Sequence, residues 1–259
     1  MGRLIYDPPV SIVMKINIVA ATISTIDYED LVSLVFYTQG CNFRCPFCHS
    51  GILACGTDEK EMTLEQALKE METHDRFIDA IVVTGGEPTM LPYDQLAALF
   101  EKAKSLNLKT KIDTNGILPK VIDRLMKENL LDRVALDVKT YNNKYEYAKV
   151  SGTPVGKNPH LDSLVERTMK IVSEDKRVEL ECRTTVVPGL VGTTGDIVKI
   201  CDWIIPYADS YYVQNFRNGQ TLDPAYLDVE EFTEEYIILL GEIVKDLLLD
   251  GGIINGVRM

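Results

Sequence analysis

Along this chain the spacing of apolar residues switches repeatedly between a strand pattern and a helix pattern. Leu31–Thr38 and Ala80–Thr84 are nearly unbroken apolar runs, as in strands buried on both faces of a parallel sheet, and strands are likewise predicted at 108–113, 133–139, 178–187 and 210–216. Residues 15–20 alternate and predict an edge strand. Helical spacing fills the gaps. Thr63–His74 sets Leu64, Ala67, Leu68 and Met71 on one face behind a Thr-x-x-Gln start, and further helices are predicted at 92–106, 119–129, near 160–174, at 194–204 and at 229–250. Six strand-helix units imply right-handed parallel βαβ repeats, too few to close an eight-stranded barrel. The expected fold class is α/β, an incomplete (β/α)6 parallel barrel. It forms a single domain over 15–259, with 1–14 as an N-terminal extension and Met14 as a second candidate start.

In such a barrel the site lies at the C-terminal ends of the strands. Here every strand end is polar. The first strand runs into Gly40–His49, where Cys41, Cys45 and Cys48 are spaced Cys-x3-Cys-x2-Cys, and the second runs into Gly85-Gly86-Glu87-Pro88. The third ends at Lys111-Ile-Asp113-Thr114-Asn115-Gly116, the fourth at Asp137-Val-Lys139, the fifth at Glu181-Cys-Arg183 and the sixth at Gln214-Asn215-Phe216-Arg217. Period-two alternation places Asp113 with Lys111, Asp137 with Lys139, and Arg183 with Glu181 in the lumen, and turns Ile112, Val138 and Cys182 towards the helices.

Closely spaced thiolates converge on one inorganic centre only where the backbone loops around it, and Gly40 and Pro46 suit a loop. A closed zinc site wants four ligands and an electron-transfer cluster wants four thiolates, so three leave one position open. A zinc knuckle completed by His49 or Cys55 is the alternative reading. His74 and His160 read as surface or helix-end residues, Cys182 and Cys201 as small core residues, and Cys55 as an isolated loop thiol.

Charge and composition narrow the setting. Lys plus Arg number 27 against 39 for Asp plus Glu, a net charge of −12, which argues against affinity for nucleic acid or anionic membrane. The chain has no apolar run long enough to span a membrane and no basic-then-apolar leader, and its six cysteines suggest a reducing compartment. A cytoplasmic protein is expected.

Cys45-Pro46-Phe47-Cys48 has the order Cys-x-aromatic-Cys, and Gly85-Gly86-Glu87-Pro88 follows after 36 intervening residues. That combination resembles the radical S-adenosylmethionine (SAM) superfamily. The resemblance implies one 4Fe-4S cluster held at three irons by Cys41, Cys45 and Cys48, with the amine and carboxylate of SAM on the fourth. It further implies that Gly85, Gly86 and Glu87 serve the methionine amine, with Glu87 accepting from it or fixing the turn. Asp113, Lys139 and Arg183 match ribose and carboxylate contacts of the glycyl-radical-enzyme activating enzymes, and Asp113, Thr114 and Asp137 match a monovalent-cation site beside the methionine carboxylate. Phe47 would shield the cluster and offer backbone groups to adenine. His49 is a candidate proton or hydrogen-bond donor.

From Ile26-Asp27-Tyr28 through Phe36–His49 the chain looks like the activating proteins of anaerobic ribonucleoside-triphosphate reductase, close to pyruvate formate-lyase activating enzyme. Two departures stand out. Ser50 replaces the usual Asn, and Glu29-Asp30 replaces a Pro-Gly, changes expected to alter the partner-facing rim. The implied reaction uses an electron from a flavodoxin or ferredoxin to split SAM into methionine and a 5′-deoxyadenosyl radical, which takes hydrogen from a glycine of a partner glycyl radical enzyme. Two alternatives are a radical SAM enzyme acting on a small molecule of the deazaguanine type, whose glycine-rich lead-in is absent from residues 20–40, and a non-catalytic iron-sulfur or zinc protein.

Overall fold

In the computed structural model, which describes residues 15–57, 61–248 and 253–258, the apolar runs assemble into one open sheet. In chain order the strands are β1 (Lys15–Ile16), β2 (Ile18–Ser24), β3 (Ser33–Thr38), β4 (Met62–Thr63), β5 (Ala80–Gly85), β6 (Lys109–Thr114), β7 (Arg133–Asp137), β8 (Glu179–Val186), β9 (Ser210–Asn215) and β10 (Ile254–Arg258). The helices are α1 (Gly51–Cys55), α2 (Leu64–His74), α3 (Tyr93–Ser105), α4 (Pro119–Lys127), α5 (Lys144–Ser151), α6 (Leu161–Ser173), α7 (Thr194–Ile204) and α8 (Glu234–Leu248). The main sheet has eight strands in the order β10-β9-β8-β7-β6-β5-β3-β2. All its pairings are parallel except that of β2, which runs antiparallel to β3 at one edge. The unclosed parallel barrel expected from the pattern is therefore present, with β2 and β10 added at its margins. The N-terminal extension and residues 249–250 of the predicted last helix lie outside the described residues.

Several elements differ from the expectation: α1 and β4 are not predicted, and α8 starts at Glu234 and not at 229. The edge strand breaks at Asn17, whose carbonyl accepts from the Gln39 N–H at 2.8 Å, so β1 leaves the sheet and pairs with β4. Helix α5 is not predicted by the apolar pattern, because Lys-Tyr-Glu-Tyr-Ala-Lys-Val presents no clear apolar stripe. Its caps are legible: the Asn143 side chain accepts from the N–H groups of Tyr145 and Glu146, and Gly152 closes the helix in the left-handed region. The short, glycine-interrupted sequence of β10 hides that strand from a pattern reading.

Side chains alternate across the strands as period two requires. Ile112, Val138 and Cys182 are fully buried under the helices. On the opposite face Lys111 and Glu181 are equally buried, 3.3 Å apart, and Glu181 also meets Arg133 at 3.4 Å and Arg183 at 3.8 Å. The lumen is thus filled with paired charges. The connection between β2 and β3 turns inward to close its floor: Tyr28 lies under the Lys111 and Arg133 cations, at 5.9 and 4.6 Å from its ring centre. Lys111 Nζ donates to the Asp27 carbonyl at 2.6 Å, and the Tyr212 hydroxyl on β9 donates to Glu29 at 3.0 Å. Glu29 therefore belongs to the floor and not to the partner-facing rim suggested by the sequence. Removing one member of a buried ion pair strands its partner at a cost of ~3–5 kcal/mol. Lys111→Ala is expected to destabilise the chain on that scale in urea unfolding, and Lys111→Met combined with Glu181→Gln to cost much less.

Candidate active site

The loop that follows β3 is held from three sides. Gly40 adopts a left-handed conformation (φ +87°) and its N–H donates to the Leu53 carbonyl of α1 at 2.7 Å. The Arg44 N–H donates to the Ser151 carbonyl of α5 at 2.9 Å, and the Asp223 N–H, in the excursion between β9 and α8, donates to the Pro46 carbonyl at 2.9 Å. Arg44 folds its guanidinium back onto the carbonyls of Cys41 and Phe43, at 2.6 Å from each. Phe43 and Phe47 are buried beside the thiols, which are all free.

The Gly-Gly-Glu turn that ends β5 lies directly against this loop. The Gly86 N–H donates to the Thr38 carbonyl and the Glu87 N–H to the Gly40 carbonyl, each at 2.8 Å. A Cβ on Gly85 would fall 2.5 Å from the Thr38 backbone, and one on Gly86 would fall 2.2 Å from the Gly40 carbonyl oxygen. Only glycine fits at either position. Glu87 is 1% exposed, and both its carboxylate oxygens are occupied. Oε1 accepts from the Thr89 N–H, the Thr89 hydroxyl and the Thr114 hydroxyl, and Oε2 accepts from the Asn115 N–H at 2.8 Å. Of the two roles open to Glu87, the structure supports fixing the turn.

Above the floor the strand ends carry the remaining charges. Arg183 reaches Asp137 at 3.1 Å and Asp113 at 3.3 Å, and Lys139 reaches Asp137 at 3.0 Å. Burial opposes the charge on Asp137, but Lys139 and Arg183 outweigh it and hold the carboxyl down at about 2. Burial likewise works against the Lys139 charge, and Asp137 and Cys45 raise its pKa despite that. Burial pushes the Cys41 thiol up to about 11 and the Cys45 thiol to about 12, so metal loading must displace protons from them. It lowers the pKa of His49. The Lys139 backbone N–H donates to the Tyr147 hydroxyl at 3.1 Å, so α5 sets this strand end as well as the cysteine loop.

These groups surround one cavity of about 390 Å³. Cys41, Cys45, Cys48, Phe47, Gly85, Gly86, Glu87, Asp113, Asp137, Lys139 and Arg183, the residues predicted from the sequence, all line it. Its wall also includes Asp27, Tyr37, Asn115, Thr185, Gln214 and Asn215. Of these, Asn115, Thr185, Gln214 and Asn215 stand in polar strand-end segments and Asp27 in the Ile26-Asp27-Tyr28 stretch, but the sequence assigns none of them a role, and Tyr37 lies within the apolar run of the first strand. Asp113 Oδ1 and Asn215 Oδ1 are buried with no hydrogen-bond partner among the described residues, and Asp113 Oδ1 lies 4.0 Å from Lys111 Nζ. His74 and His160 sit at helix ends, and Cys182 and Cys201 are in the core, as expected. Cys55, exposed, ends α1.

The donor set fits the cluster implied by the cysteine spacing. It offers three thiols on one loop, an apolar shield and a lysine to offset thiolate charge. The Radical SAM superfamily profile matches residues 35–204. This chain belongs to the radical SAM superfamily. It is an enzyme of that superfamily, whose cofactors are a 4Fe-4S cluster and SAM. A candidate glycyl-radical enzyme activating enzyme of Methanocaldococcus jannaschii is 34% identical over 86% of this chain and 89% of its own length. The pyruvate formate-lyase 1-activating enzyme of Escherichia coli is 30% identical, over 64% of this chain and 65% of its own. Among solved structures, a radical SAM methyltransferase from Sphaerobacter thermophilus superposes with a TM-score of 0.68 at 16% identity, covering 95% of this chain and 77% of that one, which establishes the shared fold. Among the described residues no helix is long and apolar enough to cross a membrane.

Gly86→Ala, which drives a methyl group into the Gly40 carbonyl, is expected to lower both thermal stability and iron content after anaerobic reconstitution. Ala at Cys41, Cys45 or Cys48 should leave the fold intact by circular dichroism and abolish SAM cleavage. The depressed Asp137 pKa has its own signature. The stabilisation it represents is complete above the ordinary value of 3.8 and is lost as pH falls towards about 2, so Asp137→Asn should flatten the loss of stability over that interval in acid unfolding curves.

Proposed function

We propose that this enzyme activates a glycyl radical enzyme, abstracting hydrogen from a backbone glycine of that partner protein. The observation that carries the reading is the identity shared with the Methanocaldococcus jannaschii relative along nearly its whole length. When bound, the cluster and SAM supply reductive cleavage of SAM and the organic radical that removes the hydrogen.

The chain's own part is to bind, orient and exclude solvent. Gly85 and Gly86 line the cavity against the cysteine loop, and their backbone would serve the methionine amine, Glu87 being committed elsewhere. Asp113, on the cavity wall, is the acceptor for a ribose hydroxyl or for a monovalent cation shared with Thr114 and Asp137. Lys139 and Arg183, held in place by Asp137 and Asp113, are the cations positioned to meet the methionine carboxylate. Phe47 covers the cluster side and supports adenine. At the β9 end Gln214 and Asn215 offer amide groups to an entering backbone segment, and Asn215 is steadied by donating to the Phe232 carbonyl at 2.9 Å.

Anaerobic ribonucleoside-triphosphate reductase is the proposed partner, and a flavodoxin or ferredoxin the proposed reductant. The test is anaerobic reconstitution and reduction, addition of SAM, and assay of 5′-deoxyadenosine with and without that reductase, read by EPR. A protein glycyl-radical doublet is the expected outcome. Deoxyadenosine with no doublet on any glycyl radical enzyme supplied would overturn the reading in favour of a small-molecule substrate.

A further inference from the structure

Asn115 is 5% exposed and lines the cavity beside the cysteine loop, and the ligand set implied by the family gives it no role. Its carboxamide has a determined orientation. Oδ1 accepts from the Ile117 N–H at 3.2 Å, so Nδ2 must be the atom facing the loop, where it donates to Asn42 Oδ1 at 2.7 Å and lies 4.0 Å from Cys41 Sγ. A flipped amide would set an oxygen against the Asn42 oxygen and the sulfur, and an NH2 against an N–H. The backbone of Asn115 is pinned as well, since its N–H donates to Glu87 Oε2 at 2.8 Å. A second donor, the Phe43 N–H, lies 3.4 Å from the same sulfur.

We propose that Asn115 is a positioning residue for the cluster. Anchored by Glu87, it orients Asn42 and supplies an N–H dipole to the Cys41 thiolate, raising the reduction potential. The physical basis is charge. The reduced cluster carries one more negative charge than the oxidised one, so a donor aimed at a ligand sulfur favours reduction, and more strongly in a buried site. Glu87 then has a task distinct from SAM binding: it holds the donor in place. The inference rests on the cluster that the family and the cysteine geometry imply, not on the identity of the partner protein.

The test is an anaerobic redox titration of the reconstituted full chain without SAM, following the EPR signal of the reduced cluster and measuring iron content in parallel. For Asn115→Ala at full iron loading, the ratio of reduced to oxidised cluster at a fixed applied potential should fall about threefold to tenfold, a tenfold fall being a shift of ~59 mV to more negative values. Asn115→Asp keeps the shape and the acceptor for the Ile117 N–H while losing the donor, and it should shift the potential in the same direction. It serves as the readout if the alanine variant does not fold. An unchanged potential in a fully loaded variant would overturn the proposal. Because no SAM or partner is present, failure of glycyl-radical formation would leave this result untouched.

Discussion

The site depends on the contact between the backbone at the end of β5 and the backbone at the end of β3. These strands are neighbours, parallel and in register, with Thr38 opposite Gly85. The two segments leaving them must either diverge or lie directly on one another. Gly85 and Gly86 permit the second, because their missing side chains leave room for the Thr38 and Gly40 backbone to approach. Two N–H donors then join the turn to the loop, and Glu87 carries the connection onward to Thr114 and Asn115 at the end of β6. Three consecutive strand ends of the sheet become one hydrogen-bonded unit. The cysteine loop is thereby held by its neighbours, and little of its shape has to come from the metal.

A lumen filled with charge raises a second constraint, since each buried ion loses hydration that only a close partner can replace. The solution is alternation of sign. Lys139, Asp137, Arg183, Asp113, Lys111, Glu181 and Arg133 follow one another, cation and carboxylate in turn, along a continuous series of ion pairs. This arrangement keeps the Asp137 carboxyl ionised throughout the neutral range and fixes the cations between their partners. The field at the strand ends is therefore set before a ligand arrives, the condition under which electrostatic stabilisation costs no reorganisation.

Much of this is legible in the sequence because two periodicities decide it. Period two alone separates Lys111 and Asp113 from Ile112, and the strand ends follow from where each apolar run stops. The features that escape have identifiable physical causes. Helix α5 lacks a clear apolar stripe because its buried positions are Tyr147, Ala148, Val150 and Ser151, a mixture of polar and apolar side chains, with the Tyr147 ring meeting that of Trp203 edge to face at 6.2 Å between centres. Of its contributions, the Ser151 carbonyl meets Arg44 from far along the chain and the Tyr147 hydroxyl reaches back eight residues to the Lys139 N–H, and no residue pattern encodes either. The inward turn of 25–32 likewise depends on cations from β6 and β7, which a local reading cannot place over Tyr28. The Gly-Gly-Glu motif marks Glu87, and only tertiary contacts reveal that its oxygens are already committed.

The floor also bears on how a substrate reaches the site. Tyr28, beneath Lys111 and Arg133, and Glu29, bonded to Tyr212, bring the β2–β3 connection across the lumen as far as β9. With the N-terminal side of the lumen filled in this way, approach is directed to the C-terminal face, where Ser50, Gln214, Asn215 and Arg217 stand around the cavity. On the side of the β9 end, the excursion from Phe216 to Phe232 folds back, tied to the cysteine loop through Asp223 and Pro46 and to itself through Arg217 and Glu231 at 3.0 Å. Ser50 and the first residues of this excursion thus stand at the mouth of the cavity, while the paired charges stand on the strand ends. Among the described residues the rim makes none of the ion pairs of the lumen, so its residues are free to vary without disturbing the charges that are fixed beneath it.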